Sequence, residues 1–225
     1  MRPAPLRLFL PAALPAVLIA TLPGPAAAEP MGAVGQLVLG HALFAEGEAS
    51  RDGLSLIAGA RLAGGVKIGI VDREKETTGP ATEDAAAAAA PRNAAQLMAI
   101  ARTAVEADEA LSFLLIATES LLEVLPRAEA RASAAQIGPG QSQIWRLPAD
   151  GGAALDVGVV DDGGSVLRLR VTAVPPSSDT APAPEVLCSA TALPLCRIVL
   201  PDSGFVDVTV QNAGTEAENY LLVSN

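Results

Sequence analysis

Between residues 31 and 131, apolar side chains recur every three or four positions, which is the spacing of one face of an α-helix. The repeating stretches are separated by residues that cap or end helices, among them Ser50 or Asp52, Gly64 and Pro126. The pattern therefore predicts four α-helices. Their apolar positions are Val34, Leu37 and Val38; Leu54, Ile57 and Leu62; Leu97, Ile100 and Val105; and Leu111, Leu114, Leu115, Leu121 and Leu122.

The four helices look like two copies of one helical hairpin. The Leu-Ile-Ala sequence of Leu56–Ala58 in the second helix returns as Leu115–Ala117 in the fourth. Such a duplication resembles tetratricopeptide-type repeats, in which neighbouring hairpins stack and bury each other's faces. A four-helix bundle satisfies the same pattern, because only two units are present. Either arrangement predicts an all-α helical-hairpin module.

After Gly140 the apolar pattern changes from the helical period to alternation. Leu167, Leu169 and Val171 alternate with polar residues, as in a strand with one buried face. Asp161–Gly164 has the composition of a hairpin turn before that strand. Seven short strands joined by turns predict an antiparallel β-sandwich. The predicted strands are Ile144–Leu147, Leu155–Val160, Leu167–Ala173, Glu185–Cys188, Leu195–Leu200, Phe205–Val210 and Tyr220–Ser224.

The C-terminal third carries a set of short motifs in a fixed order. These are Leu187-Cys188, Cys196–Ile198, Pro201–Gly204, Val208–Asn212, Asn219–Leu222 and Asn225. Together they resemble the bacterial pre-peptidase C-terminal-like domain, over roughly residues 140 to 225. The resemblance implies a jelly-roll-like sandwich, carried as a non-catalytic appendage of secreted proteins. Two departures are a thin pattern of acidic residues, which weakens the case for the family's calcium site, and Val206 where the family has an aromatic residue.

The combined patterns predict a two-domain protein, an all-α helical-hairpin module followed by an all-β, jelly-roll-like antiparallel sandwich. The predicted limits are 1–28 for a signal peptide, 29–133 for the helical domain, 134–140 for a linker and 141–225 for the sandwich. Within the helical domain, Asp72–Pro80 is charged and aperiodic and predicts an exposed linker between the hairpins. The six alanines Ala85–Ala90 could extend a helix.

The N-terminus has the three parts of a secretory signal peptide. Arg2 and Arg7 precede the apolar run Leu8–Leu22, and small residues end at Ala28. An uncleaved anchor is the alternative, but the run is short for a bilayer span and two prolines interrupt it. We expect cleavage after Ala28, a periplasmic or secreted product, and no integral membrane span in the mature chain.

Charge and cysteine content narrow the choice of partner and compartment. Fifteen basic and 25 acidic side chains give a net charge of −10, and loss of Arg2 and Arg7 with the signal peptide makes it −12 (15 − 2 = 13 basic against 25 acidic). Such a charge opposes phosphate backbones, so nucleic-acid binding is not expected. Cys188 and Cys196 are the only cysteines, and in an exported chain an even count predicts a disulfide.

Candidate chemical residues are sparse. His41 is the only histidine, and its helical spacing beside Leu37 favours a packed side chain over a catalytic one. Asp161 and Asp162 offer the oxygen ligands that calcium prefers but lack further acids at suitable spacing, so no metal, cofactor or catalytic residue is predicted. Phe205 shares its predicted strand face with polar residues and, with Trp145, is a candidate contact for a partner.

These observations predict an exported, non-catalytic binding or scaffolding protein of the bacterial envelope, whose helical module engages a protein or peptide partner. The alternative is a secreted hydrolase, or an accessory-domain protein, with a site between the two domains.

Overall fold

All four helices expected from the apolar spacing are present. The computed structural model describes residues 31–80, 90–163, 166–174 and 184–225. Its helices are α1 (Ala33–Ser50), α2 (Gly53–Gly64), α3 (Ala94–Val105) and α4 (Glu109–Val124). Its strands are β1 (Val66–Ile70), β2 (Lys75–Thr78), β3 (Ala128–Ile137), β4 (Ser142–Ala149), β5 (Ala154–Val160), β6 (Leu167–Ala173), β7 (Val186–Ala190), β8 (Leu195–Val199), β9 (Gly204–Asn212) and β10 (Glu218–Ser224).

Side-chain caps fix the starts of three helices. Asp52 accepts a hydrogen bond from the backbone N–H of Leu54 before α2, and Asp108 accepts one from Leu111 before α4. Asn93 and Gln96 form a capping box before α3, with each side chain bonded to the other residue's backbone N–H. These bonds satisfy backbone donors that have no partner inside the helix, so the chain locally favours a helix at these points.

The strands form two five-stranded sheets. Sheet A has the order β1-β3-β10-β5-β8, and sheet B has the order β2-β4-β9-β6-β7. Among the described strands, β6 and β7 are the one consecutive pair that lies within a single sheet. All other consecutive strands alternate between the sheets, so the two sheets are tied together many times along the chain. The disulfide between Cys188 on β7 and Cys196 on β8 adds a covalent link between an edge strand of each sheet.

The fold class predicted from the sequence is wrong. The helices and sheet A share one hydrophobic core, in which α1 lies on the outer face of sheet A, so the protein is an α+β fold and not a helical-hairpin module followed by a separate sandwich. Ala132 and Val223 face the helices, whereas Ala135 and Leu222 face sheet B. Sheet A is therefore buried on both faces.

Close packing of α1 on sheet A depends on small residues. A Cβ added to Gly158 on β5 would lie 2.5 Å from Val38 Cγ2 on α1, which is too close for two non-bonded carbon atoms. Glycines also bring α1 and α2 into backbone contact, since a Cβ at Gly59 would lie 2.6 Å from the carbonyl oxygen of Gly40. Beyond α2, the helices α3 and α4 pack on α2 and on each other.

Three strands lie in segments that were not expected to form sheet. β1 follows α2 and pairs with β3 in parallel. β2 occupies part of the segment 72–80 that was predicted to be a linker, and it pairs with β4 at the edge of sheet B. β3 runs through the first residues of the linker predicted at 134–140. Whether residues 29–133 and 141–225 fold separately stays a prediction.

Two further sequence predictions concern connections. Asp161–Gly164 was expected to form a hairpin turn, but β5 lies in sheet A and β6 in sheet B, so the turn joins two sheets. The signal peptide 1–28 and most of the alanine run at 85–90 lie outside the described residues. Among the described helices, none is both long enough and apolar enough to cross a membrane.

Candidate functional site

The outer side of α4 is unusually apolar. Only Leu115 and Thr118 of this helix are fully buried. Six large apolar side chains on or next to the helix are exposed, and we call them the α4 surface. They are Phe113, Leu114, Ile116, Leu121, Val124 and Leu125, with exposed fractions from 42% for Leu121 to 76% for Val124. Single exposed apolar residues are common, but six along one helix form a patch of the kind that binds a partner.

The α4 surface has two parts. Phe113 and Val124 are spaced so that they lie on the face opposite to buried Leu115, and Ile116 lies about 100° around the helix from Leu115, on the side that also carries Glu119 and Glu123. Leu114, Leu121 and Leu125 lie beside the buried stripe. The first part points away from the protein, and the second part leads towards α2.

A groove of about 730 Å³ lies between α2 and α4 and reaches the start of β3. Its walls are mostly apolar, and Leu114 and Leu125 belong both to this groove and to the α4 surface. Among the described residues of its lining, Arg61 and Arg127 are the charged ones and none is acidic. In an acidic chain this is a local excess of positive charge around an apolar groove.

The apolar spacing in the sequence predicts α4 but not its exposed surface. Its spacing assigned Leu114 and Leu121 to the buried stripe together with Leu115, yet both are partly solvent-accessible. A signal was present: apolar residues also occur outside that stripe, at Phe113, Ile116 and Val124. Large apolar residues outside the buried stripe of a helix, even next to polar ones such as Glu119 and Glu123, are typical of a surface that binds a partner.

His41 lies on α1 and is 7% exposed. It lines a small cavity of about 300 Å³ between α1 and sheet A, with Asp161 on the opposite side. Burial lowers the pKa of His41, although the charge of Asp162 and a hydrogen bond to the backbone of Asp161 oppose that effect. These are the surroundings of a neutral imidazole packed at a helix–sheet contact.

Arg92 connects three parts of the chain next to this cavity. Its guanidinium donates two hydrogen bonds of 2.8 Å to the carboxylate of Glu48 on α1. Its Nε donates to Asp162 Oδ1 at 3.1 Å, and its plane lies 5.4 Å from the centre of the Phe44 ring. The carboxylates raise the pKa of Arg92 above its already high value, with the hydrogen bond to Glu48 as the largest cause. Arg92 thus holds the start of α3 against α1.

The calcium hypothesis for Asp161 and Asp162 gains no support from this geometry. The Asp162 carboxylate accepts hydrogen bonds from the backbone N–H and the Nε of Arg92. Among the described residues, no three His, Cys, Asp or Glu side chains come together as metal ligands. Asp162 therefore has a structural partner in Arg92.

Trp145 and Phe205 were the two aromatic residues predicted to contact a partner. The prediction for Trp145 is wrong, because this side chain is 1% exposed and lies between the two sheets. Its Nε1–H donates to the hydroxyl of Tyr220 at 2.9 Å, and that hydroxyl donates to Gln143 Oε1 at 2.6 Å. Burial raises the pKa of Tyr220, so this hydroxyl stays protonated. This core position could not be predicted from the neighbouring residues, because its partner Tyr220 is 75 residues away along the chain.

Phe205 lies on the outer face of sheet B and is 53% exposed, whereas its neighbours on the opposite strand face, Val206, Val208 and Val210, are fully buried. The strand register expected from alternation is therefore correct. Phe205 is accessible to a partner, and its role as a contact stays a prediction.

No known family model and no curated protein matches this chain. Among solved structures, the periplasmic lysozyme inhibitor PliG of Aeromonas hydrophila, which inhibits g-type lysozyme, is 16% identical, with a TM-score of 0.35 over 43% of this chain and 84% of that one. The Yersinia pseudotuberculosis-derived mitogen is 10% identical, with the same TM-score and coverage. A de novo designed double-stranded β-helix is 7% identical, with a TM-score of 0.26 over 42% of this chain and 99% of that one. These likenesses are too low to assign a function, and the resemblances to the pre-peptidase C-terminal-like and tetratricopeptide families stay predictions.

Proposed function

We propose that the chain is an exported, non-catalytic binding protein that engages a partner protein through the α4 surface. The observation that carries this proposal is the exposure of six large apolar side chains on one outer helix. Burying such a patch against a partner releases it from water, which is the main favourable term in protein association.

The groove beside α4 indicates the chemistry of the partner. Arg61 and Arg127 border the apolar walls of the groove, and none of its described lining residues is acidic. An amphipathic helix of another protein, with apolar residues every three or four positions and a carboxylate at its edge, would complement both features. The partner would cover the outward-facing part of the α4 surface, and one helical segment of it would place its apolar side in the groove between α2 and α4, with its acid near an arginine.

Export and the absence of catalysis are part of the same proposal. The Cys188–Cys196 disulfide is typical of proteins that fold in an oxidising compartment. His41, the sole imidazole in the chain, is buried and bonded to a backbone group, which suits a structural role. The periplasmic or secreted location and cleavage after Ala28 rest on the sequence of residues 1–28.

Site-specific photocrosslinking in the producing cell tests this proposal. A photoreactive amino acid at Ile116, 58% exposed on α4, should give one dominant adduct with another protein. The matched control is Val199, 57% exposed on β8, which should not give that adduct. Adducts of equal yield at both positions, or none at Ile116, would contradict the proposal. An adduct between two copies of this chain would contradict the assignment to a different protein.

Affinity measurements on the identified partner then test the contact itself. Ile116→Asp and Val124→Asp place a charge in the apolar interface and should weaken binding by about 30-fold or more. Val199→Asp should leave the dissociation constant unchanged. Equal losses in all three variants would show that binding depends on overall charge and not on the α4 surface.

A further inference from the structure

A second cavity, of about 500 Å³, lies where the connection between β1 and β2 crosses from sheet A to sheet B. The end of β4, the start of β5 and the end of β10 surround it. Leu147 and Leu155 give it apolar walls, and two arginines, Arg73 and Arg131, give it positive charge. It shares no lining residue with the groove beside α4.

Arg73 lies half-buried in that connection and is bonded only to neutral groups. Its Nη1 donates to Ser133 Oγ at 3.3 Å and to the carbonyl oxygen of Leu222 at 3.4 Å. Its Nη2 donates to Ser224 Oγ at 2.9 Å. Within the described part of the chain, no carboxylate forms an ion pair with Arg73. These bonds hold the guanidinium in one position without a carboxylate at ion-pair distance among the described residues.

Arg131 adds a second positive charge, which has no ion-pair partner among the described residues. It lies on β3 opposite Ser224 of β10, and on the same strand face as Ser133, to which Arg73 is bonded. No described carboxylate pairs with Arg131 either. Burial and the charge of Arg131 both lower the pKa of Arg73. Two guanidinium groups beside one cavity repel each other, and an anion bound between them would relieve that repulsion.

The remaining charges at the cavity restrict the kind of anion. Asp72 and Asp150 line it and are exposed, without an ion pair to either arginine. They would repel a doubly charged phosphate more strongly than a singly charged group. A planar carboxylate also matches the geometry of a guanidinium group, and the leucine walls suit an organic substituent.

We propose that this cavity binds a small organic monocarboxylate, with the carboxylate between Arg73 and Arg131 and its apolar part against Leu147 and Leu155. The site is independent of the proposed protein-binding role of α4. The site would bind the carboxylate and would not catalyse a reaction on it.

Titration of the purified protein with benzoate and butyrate tests the site. Binding can be followed by NMR chemical shifts, with sodium chloride at matched ionic strength as the reference. Both carboxylates should saturate a single site and shift the resonances of β4, β5 and β10. Inorganic phosphate and sulfate are the comparison anions and should bind more weakly. Tighter binding of phosphate or sulfate would overturn the assignment to a monocarboxylate.

Substitutions locate the binding residues. Arg131→Gln changes an exposed side chain that makes no hydrogen bond or ion pair with the described residues, and it should weaken benzoate binding by about tenfold or more. Arg73→Gln should have at least the same effect; if it does not fold, Arg131→Gln decides alone. The control is Arg146→Gln, at an exposed arginine that pairs with Asp207 on sheet B. No saturable carboxylate binding, or binding unchanged by Arg131→Gln, would overturn the proposal.

Discussion

The orientation of α4 can be tested with two neighbouring residues that the structure places in opposite environments. Leu115 is 2% exposed and packs in the helical core, whereas Ile116 is 58% exposed. The perturbation is truncation of each side chain to alanine. If the described orientation is correct, the two variants should differ strongly in stability although they alter adjacent residues of similar size.

The expected magnitudes follow from burial. Leu115→Ala removes a fully buried side chain and leaves a cavity, which costs about 2–5 kcal/mol of unfolding free energy. Ile116 buries less than half of its surface, so its truncation forfeits less than half of the roughly 1.5–3 kcal/mol that full burial contributes. Alanine also has the better helix propensity, by a few tenths of a kcal/mol. We expect Ile116→Ala to cost about 0.2–1 kcal/mol.

Urea unfolding provides the assay, because Trp145 is the only tryptophan and lies in the core between the sheets. Its fluorescence reports on the sandwich, and far-UV circular dichroism reports on the helices. The two probes should give the same midpoint if the helices and sheets unfold together. A loss of 2 kcal/mol or more for Ile116→Ala, or a loss below about 1 kcal/mol for Leu115→Ala, would refute the orientation and with it the α4 surface.

Three further predictions concern the core, the disulfide and the pH dependence. Tyr220→Phe removes the hydroxyl that bonds Trp145 and a glutamine amide, and should cost about 2–5 kcal/mol in urea unfolding because two buried groups lose a partner; a loss below about 1 kcal/mol would show that neither bond matters. Reducing the Cys188–Cys196 disulfide, with its sequence separation of 8, should cost about 2.5 kcal/mol, measured by unfolding with and without reductant, and an unchanged midpoint would contradict this. Burial lowers the pKa of His41, so the unfolded chain takes up a proton at higher pH than the folded chain. The free energy of unfolding should therefore be unaffected by this group above about pH 6.5 and should decrease as the pH drops below that value. His41→Gln should abolish this part of the slope, and a stability difference between the two proteins that stays constant from pH 7.5 to 5 would exclude it.

Local side-chain periodicity was enough to predict the helices and the later strands. The alternation of Val206, Val208 and Val210 with polar residues fixed which face of β9 is buried, and the structure confirms it. The cap at Asp52 also lies at one of the two positions where the sequence predicts a helix start. These features depend on residues a few positions apart, so they can be recognised in the sequence directly.

The fold class could not be predicted in the same way, because it depends on β3 and on its distant partners. The buried positions of β3 are mostly alanine and serine, such as Ala130, Ala132 and Ser133, and these residues do not stand out as a strand pattern. β1 is only five residues long, and its parallel pairing with β3 joins residues about 60 positions apart. Without these strands, the helices had no visible connection to the sandwich.

The candidate sites were missed for a related reason. Arg73 and Arg131 come together only through the crossing of the β1–β2 connection over the end of the sandwich. Nothing near either residue in the sequence marks it as part of a pair. The α4 surface, in contrast, was visible as apolar residues on both faces of one helix, but a sequence does not reveal which face the rest of the chain covers.

The order of the layers explains why α4 keeps an exposed apolar face. Sheet A is covered by α1, α1 by α2, and α2 by α3 and α4. Each inner helix has protein on both sides and uses small residues such as Gly40 and Gly59 to approach its neighbours closely. α4 has a polar side with Glu119 and Glu123, yet it also exposes Phe113 and Val124, and among the described residues only its α2- and α3-facing side is covered. Folding of the described chain alone requires only that the covered side be apolar. The exposed apolar residues are thus not needed for the described packing, and this is why we assign them to the proposed partner contact.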